Sequence, residues 1–181
     1  MLALHASMRR AAAPIRQLFL AMSLGERRYV VPARDVVSVL ADQPVAPLSA
    51  VPSWIGGVLK VGRTPVPVID LVARVTGRPS SPGRTRRVVL LRLDGIGIDA
   101  RGACAKQKMV GVWAEHVTET LMLDTAAFVS CGVQFPDARF LGPIVCHGED
   151  WLQRLDVADL LEPEVRALLL EAVEHAAKQV A

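Results

Sequence analysis

The stretch Trp54-Ile-Gly-Gly-Val-Leu-Lys-Val-Gly-Arg-Thr-Pro-Val-Pro-Val-Ile-Asp-Leu71 decides the fold of this chain. Two apolar runs, Trp54 to Val61 and Val66 to Leu71, flank a turn at Gly62-Arg63-Thr64, which is the pattern of a β-hairpin. Pro65 and Pro67 lie two residues apart, so both missing N–H groups fall on one edge of the same strand. That edge cannot be fully paired, and the strand is predicted to lie at a sheet margin or to bulge there.

The residues that precede this hairpin show the same pattern of short strands and turns. Leu18 to Ser23 and Arg28 to Val31 flank a tight turn that contains Gly25, and they predict another hairpin. The residues from Val36 to Leu40 are spaced for a short helical turn or an irregular strand. Three prolines between Gln43 and Pro52 predict an extended loop.

The residues that follow the hairpin are also strand-like. Gly77 to Arg87, rich in Gly, Pro, Ser and Arg, is predicted to be a linker. Asp94 to Lys108 is polar and Gly-rich, which predicts a long hairpin tip, and Asp124 to Phe140 is rich in loop residues. The predicted strands are Val88–Leu93, Met109–Ala114, Glu115–Leu123, Phe140–Cys146 and Trp151–Leu155.

The C-terminal residues change to a helical period. Apolar residues recur at helical spacing, and Pro163 sits where the first residue of a helix tolerates proline. We expect this helix to pack across the barrels that the strands form. The whole pattern predicts an all-β domain with one C-terminal α-helix, divided into a disordered tail (1–17), the β domain (18–161) and an amphipathic helix (162–181). The residues that carry the helical period are Val165, Leu168, Leu169, Ala172, Val173 and Ala176.

Composition indicates a globular protein of the cytoplasm. Half of the residues are apolar (51%), and the three cysteines lie far apart, which suits reduced thiols better than a disulfide framework. Prolines break the longest uncharged stretch, so no transmembrane segment is predicted. The N-terminus has no apolar run between Arg10 and Pro14, which argues against a signal peptide.

Charge is divided along the chain. From Lys60 to Val110 there are eleven Lys or Arg and three acids, whereas from Gly111 onward there are four and twelve. This division favours a protein that docks others, and a solvated surface with a basic loop is the alternative interpretation. A small nucleic-acid-binding barrel is a further alternative. However, no aromatic residue lies between Trp54 and Trp113, so the basic stretch lacks base-stacking partners and no nucleic acid is expected.

No catalytic or metal-binding pattern emerges. The residue types of a Ser-His-Asp catalytic triad are available in Ser130, His147 and Asp150. However, the sequence has no Gly-x-Ser-x-Gly nucleophile elbow. Cys146 and His147 are adjacent on a predicted strand, so their side chains diverge, and a buried Cys146 with an exposed His147 is predicted. Neither the cysteine spacing of a zinc site nor a phosphate-binding loop occurs. We therefore predict no enzyme activity, no metal and no cofactor.

The central stretch resembles the signature of CheW-like coupling domains. In that family a proline-bounded loop precedes a Gly-Val strand, an Arg-Gly turn and a Pro-Val-Ile-Asp-Leu strand. The resemblance extends over Leu18 to Leu161. Its later part, Val117 to Pro143, looks most like the short coupling proteins of the Wsp surface-sensing pathway. Further matching segments are Tyr29–Val39, Gly111–Leu121, Phe140–Ile144 and Leu152–Leu161.

The resemblance implies two five-stranded SH3-like barrels without an active site. It also implies a cytoplasmic adaptor, recruited to membrane-associated receptor clusters, that bridges chemoreceptor tips and the regulatory domain of a CheA-type histidine kinase. The residues that it assigns to partner binding are Val36, Ser38, Val39, Gly57, Gly62 and Arg63. Core packing is the alternative interpretation for Val36 and Val39.

Two positions depart from the family pattern. The turn reads Gly62-Arg63 where the family has Arg-Gly, and a cation moved by one place in a hairpin can point to the opposite face. Ser38 stands where the family often has Glu. The first departure bears on receptor contact through Arg63, and the second on the contact with the kinase.

Overall fold

The computed structural model describes residues 15–49, 51–93, 109–130, 132, 138–167, 169 and 171. In this part of the chain strands dominate, which confirms the all-β prediction. The strands are β1 (Arg16–Leu24), β2 (Arg27–Pro32), β3 (Val36–Ala41), β4 (Ile55–Val61), β5 (Thr64–Ile69), β6 (Arg86–Arg92), β7 (Met109–Asp124), β8 (Leu141–His147) and β9 (Asp150–Leu155). One short helix, α1 (Leu71–Thr76), follows β5.

The strands form two groups of five that share β7. The main path runs β3-β6-β7-β1-β2-β9-β8, and the β4–β5 hairpin joins it where β5 pairs with β7. The first half of the 16-residue β7 pairs with β6 and β5, and its second half pairs with β1. Strands β3 to β7 therefore form barrel one, and strands β1, β2, β7, β8 and β9 form barrel two, as the family resemblance implied.

Each barrel is closed by one pair of residues rather than by a full ladder. In barrel one, Ala46 exchanges backbone hydrogen bonds of 2.9 and 2.8 Å with Val58 of β4. In barrel two, Val129 exchanges bonds of 2.8 and 2.9 Å with Ile144 of β8. Short closures of this kind leave part of each outer edge strand without a partner among the described residues.

Strand β7 changes direction where it passes from one barrel to the other. His116 has a φ of 49°, and the pairing with β1 shifts register between Ala21 and Ser23. Such a bulge bends a strand without ending it. The prediction of two separate strands, divided between Ala114 and Glu115, was therefore wrong, because one bent strand serves both barrels.

Three apolar cores explain why several strands lack polar alternation. Val88 and Leu90 of β6 face the core of barrel one, whereas Val89 and Leu91 face a larger core between the barrels. A strand buried on both faces reads as a continuous apolar run. The third core lies inside barrel two and contains Phe19.

The prolines of β5 lie where the sequence predicted a sheet margin. Pro65 and Pro67 both stand opposite residues of β4, while pairing with β7 begins only at Val68. The prolines, which lack N–H donors, thus lie in the part of β5 that is paired with β4 alone. At the tip, Gly62 has a φ of 60°, a conformation that favours glycine.

Helix α1 was not predicted, and Leu71, assigned to a strand, is its first residue. Asp70, only 3% exposed, caps the helix by accepting a 3.0 Å hydrogen bond from the Ala73 N–H. The same carboxylate accepts a 2.7 Å bond from the Ser80 N–H, which fastens the linker to barrel one. Gly77, with a φ of 71°, ends the helix in the left-handed conformation.

The two termini agree with the sequence pattern as far as they are described. Residues 163–167, 169 and 171 are helical, and Leu169 is buried in the core between the barrels, so the expected packing occurs. Residues 168, 170 and 172–181 lie outside the described residues, as do residues 1–14 of the predicted tail and the 94–108 excursion. Strand β1 begins at Arg16, two residues before the predicted boundary.

Candidate partner-binding surfaces

The residues considered for catalysis do not assemble. Asp150 pairs with Arg28, and the Ser130 hydroxyl accepts a 3.3 Å bond from the Gly132 N–H. Cys146 is exposed and its thiol donates to the Gly148 carbonyl at 3.5 Å, so the prediction of a buried Cys146 was wrong. Within the described residues no group of three His, Cys, Asp or Glu side chains could hold a metal ion.

Strand β3 carries three of the predicted partner-binding residues on two faces. Its burial alternates, so Val39 (39% exposed) and its neighbour Val37 (38%) point outward. Val36 and Ser38 are half-buried, and Val36 packs against the core between the barrels. Val39 is accessible to a partner, while Val36 has a packing role. Because β3 pairs only with β6, its other edge has no strand partner among the described residues.

Gly57 is buried at the closure of barrel one. Its φ is 134°, and a Cβ atom placed there would lie 2.3 Å from the Ala46 carbonyl oxygen. Its neighbour Gly56 would place a Cβ 2.3 Å from the Trp113 ring. The absence of a side chain at these two glycines thus allows the Ala46 backbone and the Trp113 ring to pack closely against β4. The structure gives Gly57 a packing role rather than an accessible surface.

The Gly62-Arg63 turn is exposed and lies at the end of barrel one where β3 begins. Strand β5 runs parallel to β7 with Val68 opposite Gly111, so the first residues of β5 lie at the end of the sheet where β7 begins. Strand β6 ends there, with Arg92 opposite Met109. Val36 pairs with Leu91 at that same end. Arg63 forms no ion pair with the described residues. The structure therefore brings the turn and the start of β3 to the same end of barrel one. Gly57 is buried at the closure of that barrel.

A cleft between the barrels was not predicted from the sequence. It has a volume of about 590 Å³ and receives residues from both barrels, so no single sequence motif could indicate it. We call it the interbarrel cleft. Its lining includes the segment that leads into β3, the end of β6 and the turn after β9; the charged residues are Arg34, Asp35, Arg92, Arg154, Asp156 and Asp159.

The charges of the interbarrel cleft are unevenly paired. Arg154 Nε donates to Asp156 Oδ1 at 2.8 Å, and Arg34 Nε lies 3.8 Å from Asp35 Oδ1. Arg92 donates only a 3.4 Å bond to the Arg34 carbonyl, and its buried Nε has no acceptor among the described residues. The cleft is thus a mixed polar and apolar site with one under-satisfied cation.

The Asp35 carboxyl gives the cleft a pH dependence. Burial raises its pKa above the ordinary 3.8, an effect that nearby Asp156 reinforces and that Arg34 and Arg92 oppose. The folded protein therefore binds this proton more tightly than the unfolded chain. The resulting stabilisation is complete below the ordinary pKa and is lost as the pH rises through the raised value.

We expect the Asp35→Asn variant to gain stability relative to the wild type as the pH rises from about 3 to about 7, because asparagine has no charge to bury. Urea unfolding across this range measures the difference. Glu149→Gln, at an exposed turn outside the lining of the cleft, is the control for a change from carboxyl to amide. A stability difference between Asp35→Asn and the wild type that does not change with pH would contradict the assignment.

Two of the three tryptophans are covered by arginines. Arg74 lies over the Trp54 ring at 4.6 Å, and Arg86 lies over Trp113 at 4.5 Å while it pairs with Asp42 at 2.8 Å. Only Trp151 is largely exposed (66%). The basic stretch therefore does find an aromatic partner, but within the fold, and that ring is not available for base stacking.

The comparisons with known proteins agree with this architecture. No helix of the described residues is long and apolar enough to span a membrane. No curated protein matches the chain. Among solved structures, the chain is similar to the scaffolding protein TtCheW from Thermoanaerobacter tengcongensis, with a TM-score of 0.69 and 20% identity over 84% of this chain and 92% of that one. At that identity the similarity shows the fold.

The family itself is shown by a match along most of the chain. Residues 18–165 match the family model described as the CheW-like domain. The match includes the central hairpin, both barrels and the first helical residues at the C-terminus. The family resemblance noted from the sequence is thereby confirmed, and the chain belongs to the CheW-like domain family.

Proposed function

We propose that this protein is an adaptor that couples chemoreceptors to a CheA-type histidine kinase. It binds the cytoplasmic tip of the receptor and the regulatory domain of the kinase, and it transmits the receptor's state by scaffolding, without chemistry of its own. It acts in the cytoplasm, at membrane-associated receptor clusters. The domain boundaries at 17/18 and 161/162 and the likeness to Wsp-type coupling proteins stay predictions.

The observation that carries this proposal is the exposed apolar face of β3 beside an interbarrel cleft. Val37 and Val39 are each more than a third exposed on a strand with one paired edge. Exposed apolar side chains beside a concave site are typical of a surface that receives an amphipathic partner helix. Arg63, at the exposed hairpin tip, can add a charge-assisted hydrogen bond at the rim.

The alternative of a nucleic-acid-binding barrel gains nothing from the structure. Sites for single strands combine a cationic groove with exposed aromatic rings. Here Trp54 and Trp113 are covered by arginines, and the exposed Trp151 lies on β9 beside Asp150, outside the basic stretch. The adaptor is therefore the function that we propose.

Calorimetry with a purified receptor tip and a kinase regulatory domain tests the proposal. We expect the wild type to bind both, and Val39→Asp to weaken binding of the receptor tip about tenfold or more, because it places a charge on the apolar face. Val75→Asp is the matched control, since Val75 is similarly exposed (43%) but lies on α1. Binding of the wild type to neither partner would refute the adaptor function.

A further inference from the structure

We propose that Arg92 in the interbarrel cleft binds the carboxylate of an Asp or Glu presented by the receptor tip. The inference rests on the proposed adaptor function and names one chemical contact within it. It concerns a residue that the family resemblance did not assign to partner binding.

The Arg92 guanidinium is poorly satisfied within the fold. It ends β6 and is half-buried, and its Nε is shielded from solvent without an acceptor among the described residues. Its one hydrogen bond, to the Arg34 carbonyl, is long at 3.4 Å. A guanidinium carries five N–H donors, and burying them without acceptors costs free energy. A ligand carboxylate would supply the acceptor that the described residues lack.

The neighbouring acids do not supply it. Asp156 is engaged by Arg154 at 2.8 Å, and the ion-pair contact of Asp35 is with Arg34 at 3.8 Å. No carboxylate of the described residues lies within ion-pair distance of Arg92. A ligand carboxylate would match the planar fork of the Arg92 guanidinium with two parallel hydrogen bonds.

The walls of the cleft favour an amino-acid side chain over a free anion. Apolar groups of Phe19, Pro32, Leu93 and Val157 line the cleft beside Arg92. These residues are mostly buried, and the small apolar surface that they show in the cleft can contact the methylene groups of a glutamate. A free phosphate has no methylene groups and would gain nothing from these walls.

Calorimetry with the receptor tip compares the wild type, Arg92→Gln and Arg92→Lys. We expect Arg92→Gln to weaken binding about 30-fold or more, and Arg92→Lys to weaken it less, because lysine keeps the charge but loses the fork. Arg84→Gln, an exposed arginine of the linker, should change binding by less than about fivefold. In the reverse experiment, one acidic residue of the receptor tip is changed to Arg. This tip should bind the Arg92→Glu variant more tightly than it binds the wild-type adaptor.

Thermal unfolding of the same variants separates binding from folding. Arg92→Gln should unfold close to the wild-type temperature, so that weaker binding reflects a lost contact and not a loss of folded protein. If the wild type binds the receptor tip and Arg92→Gln binds it with the same affinity, the inference is overturned and the adaptor function stays intact. Equal weakening by Arg84→Gln would also overturn it, since a general loss of charge would then be the cause. Absence of wild-type binding would remove both proposals.

Discussion

The Arg74→Ala variant is expected to lose about 3 kcal/mol or more of unfolding free energy, because the side chain fills a buried site between two aromatic rings. Arg74 lies 4.6 Å from the Trp54 ring and 4.8 Å from the Phe140 ring, and its side chain is only 8% exposed. It also donates a 2.6 Å bond to the Leu160 carbonyl and pairs with Glu162 at 3.0 Å. One cation thus joins α1, barrel two and the start of the C-terminal helix.

Urea unfolding of Arg74→Ala, Arg74→Lys and Arg78→Ala measures this effect. Lysine keeps the charge but cannot stack as a plane, so Arg74→Lys should lose about 1–2 kcal/mol. The Arg78 side chain is exposed on the linker three residues after Val75, and its removal should change stability by less than about 0.5 kcal/mol. If Arg74→Ala were as stable as Arg78→Ala, the two rings would not depend on this cation.

The Gly57→Ala variant is expected to lose about 3 kcal/mol or more, because two independent penalties meet at one residue. The φ of 134° is unfavourable for any residue with a side chain, and the new Cβ would lie 2.3 Å from the Ala46 carbonyl oxygen. That oxygen belongs to the backbone pair that closes barrel one, so it cannot move without weakening the closure.

Gly83→Ala is the matched control, since a Cβ at Gly83 would meet no atom within 4 Å. We expect it to change the unfolding free energy by less than about 1 kcal/mol. Chemical unfolding of both variants gives the comparison. Gly57→Ala should also bind partners less well, but only in proportion to the unfolded fraction. A fully folded Gly57→Ala variant that fails to bind would instead make Gly57 a direct contact.

Local sequence signals predicted most of the strands. The turn at Gly62-Arg63 and the prolines of β5 specify one hairpin and its free edge through backbone chemistry alone. The continuous apolar character of Val88–Leu93 predicted a strand, but its reason, a core on each face, emerges only when both barrels are present. Short-range pattern is thus enough for the elements, whereas the arrangement required the family resemblance.

The features that were missed depend on short elements or on distant contacts. Helix α1 has six residues, too few for a helical period to show, although Asp70 and Gly77 are cap residues at the correct spacing. Cys146 was expected to be buried, but it lies on β8, an edge strand, close to the exposed turn at Gly148. The interbarrel cleft joins segments more than a hundred residues apart, so local pattern carries no signal for it.

Because β7 belongs to both barrels, neither half of the molecule can be separated from the other by a cut in the chain. The backbone enters barrel two, builds barrel one, and returns through β7 to finish barrel two. A fragment that ends within β7 would lack a wall of one barrel, and a fragment that begins there would lack β1 and β2. Loss of β7 pairing would therefore open both barrels at once, so the two halves of the molecule are expected to unfold together.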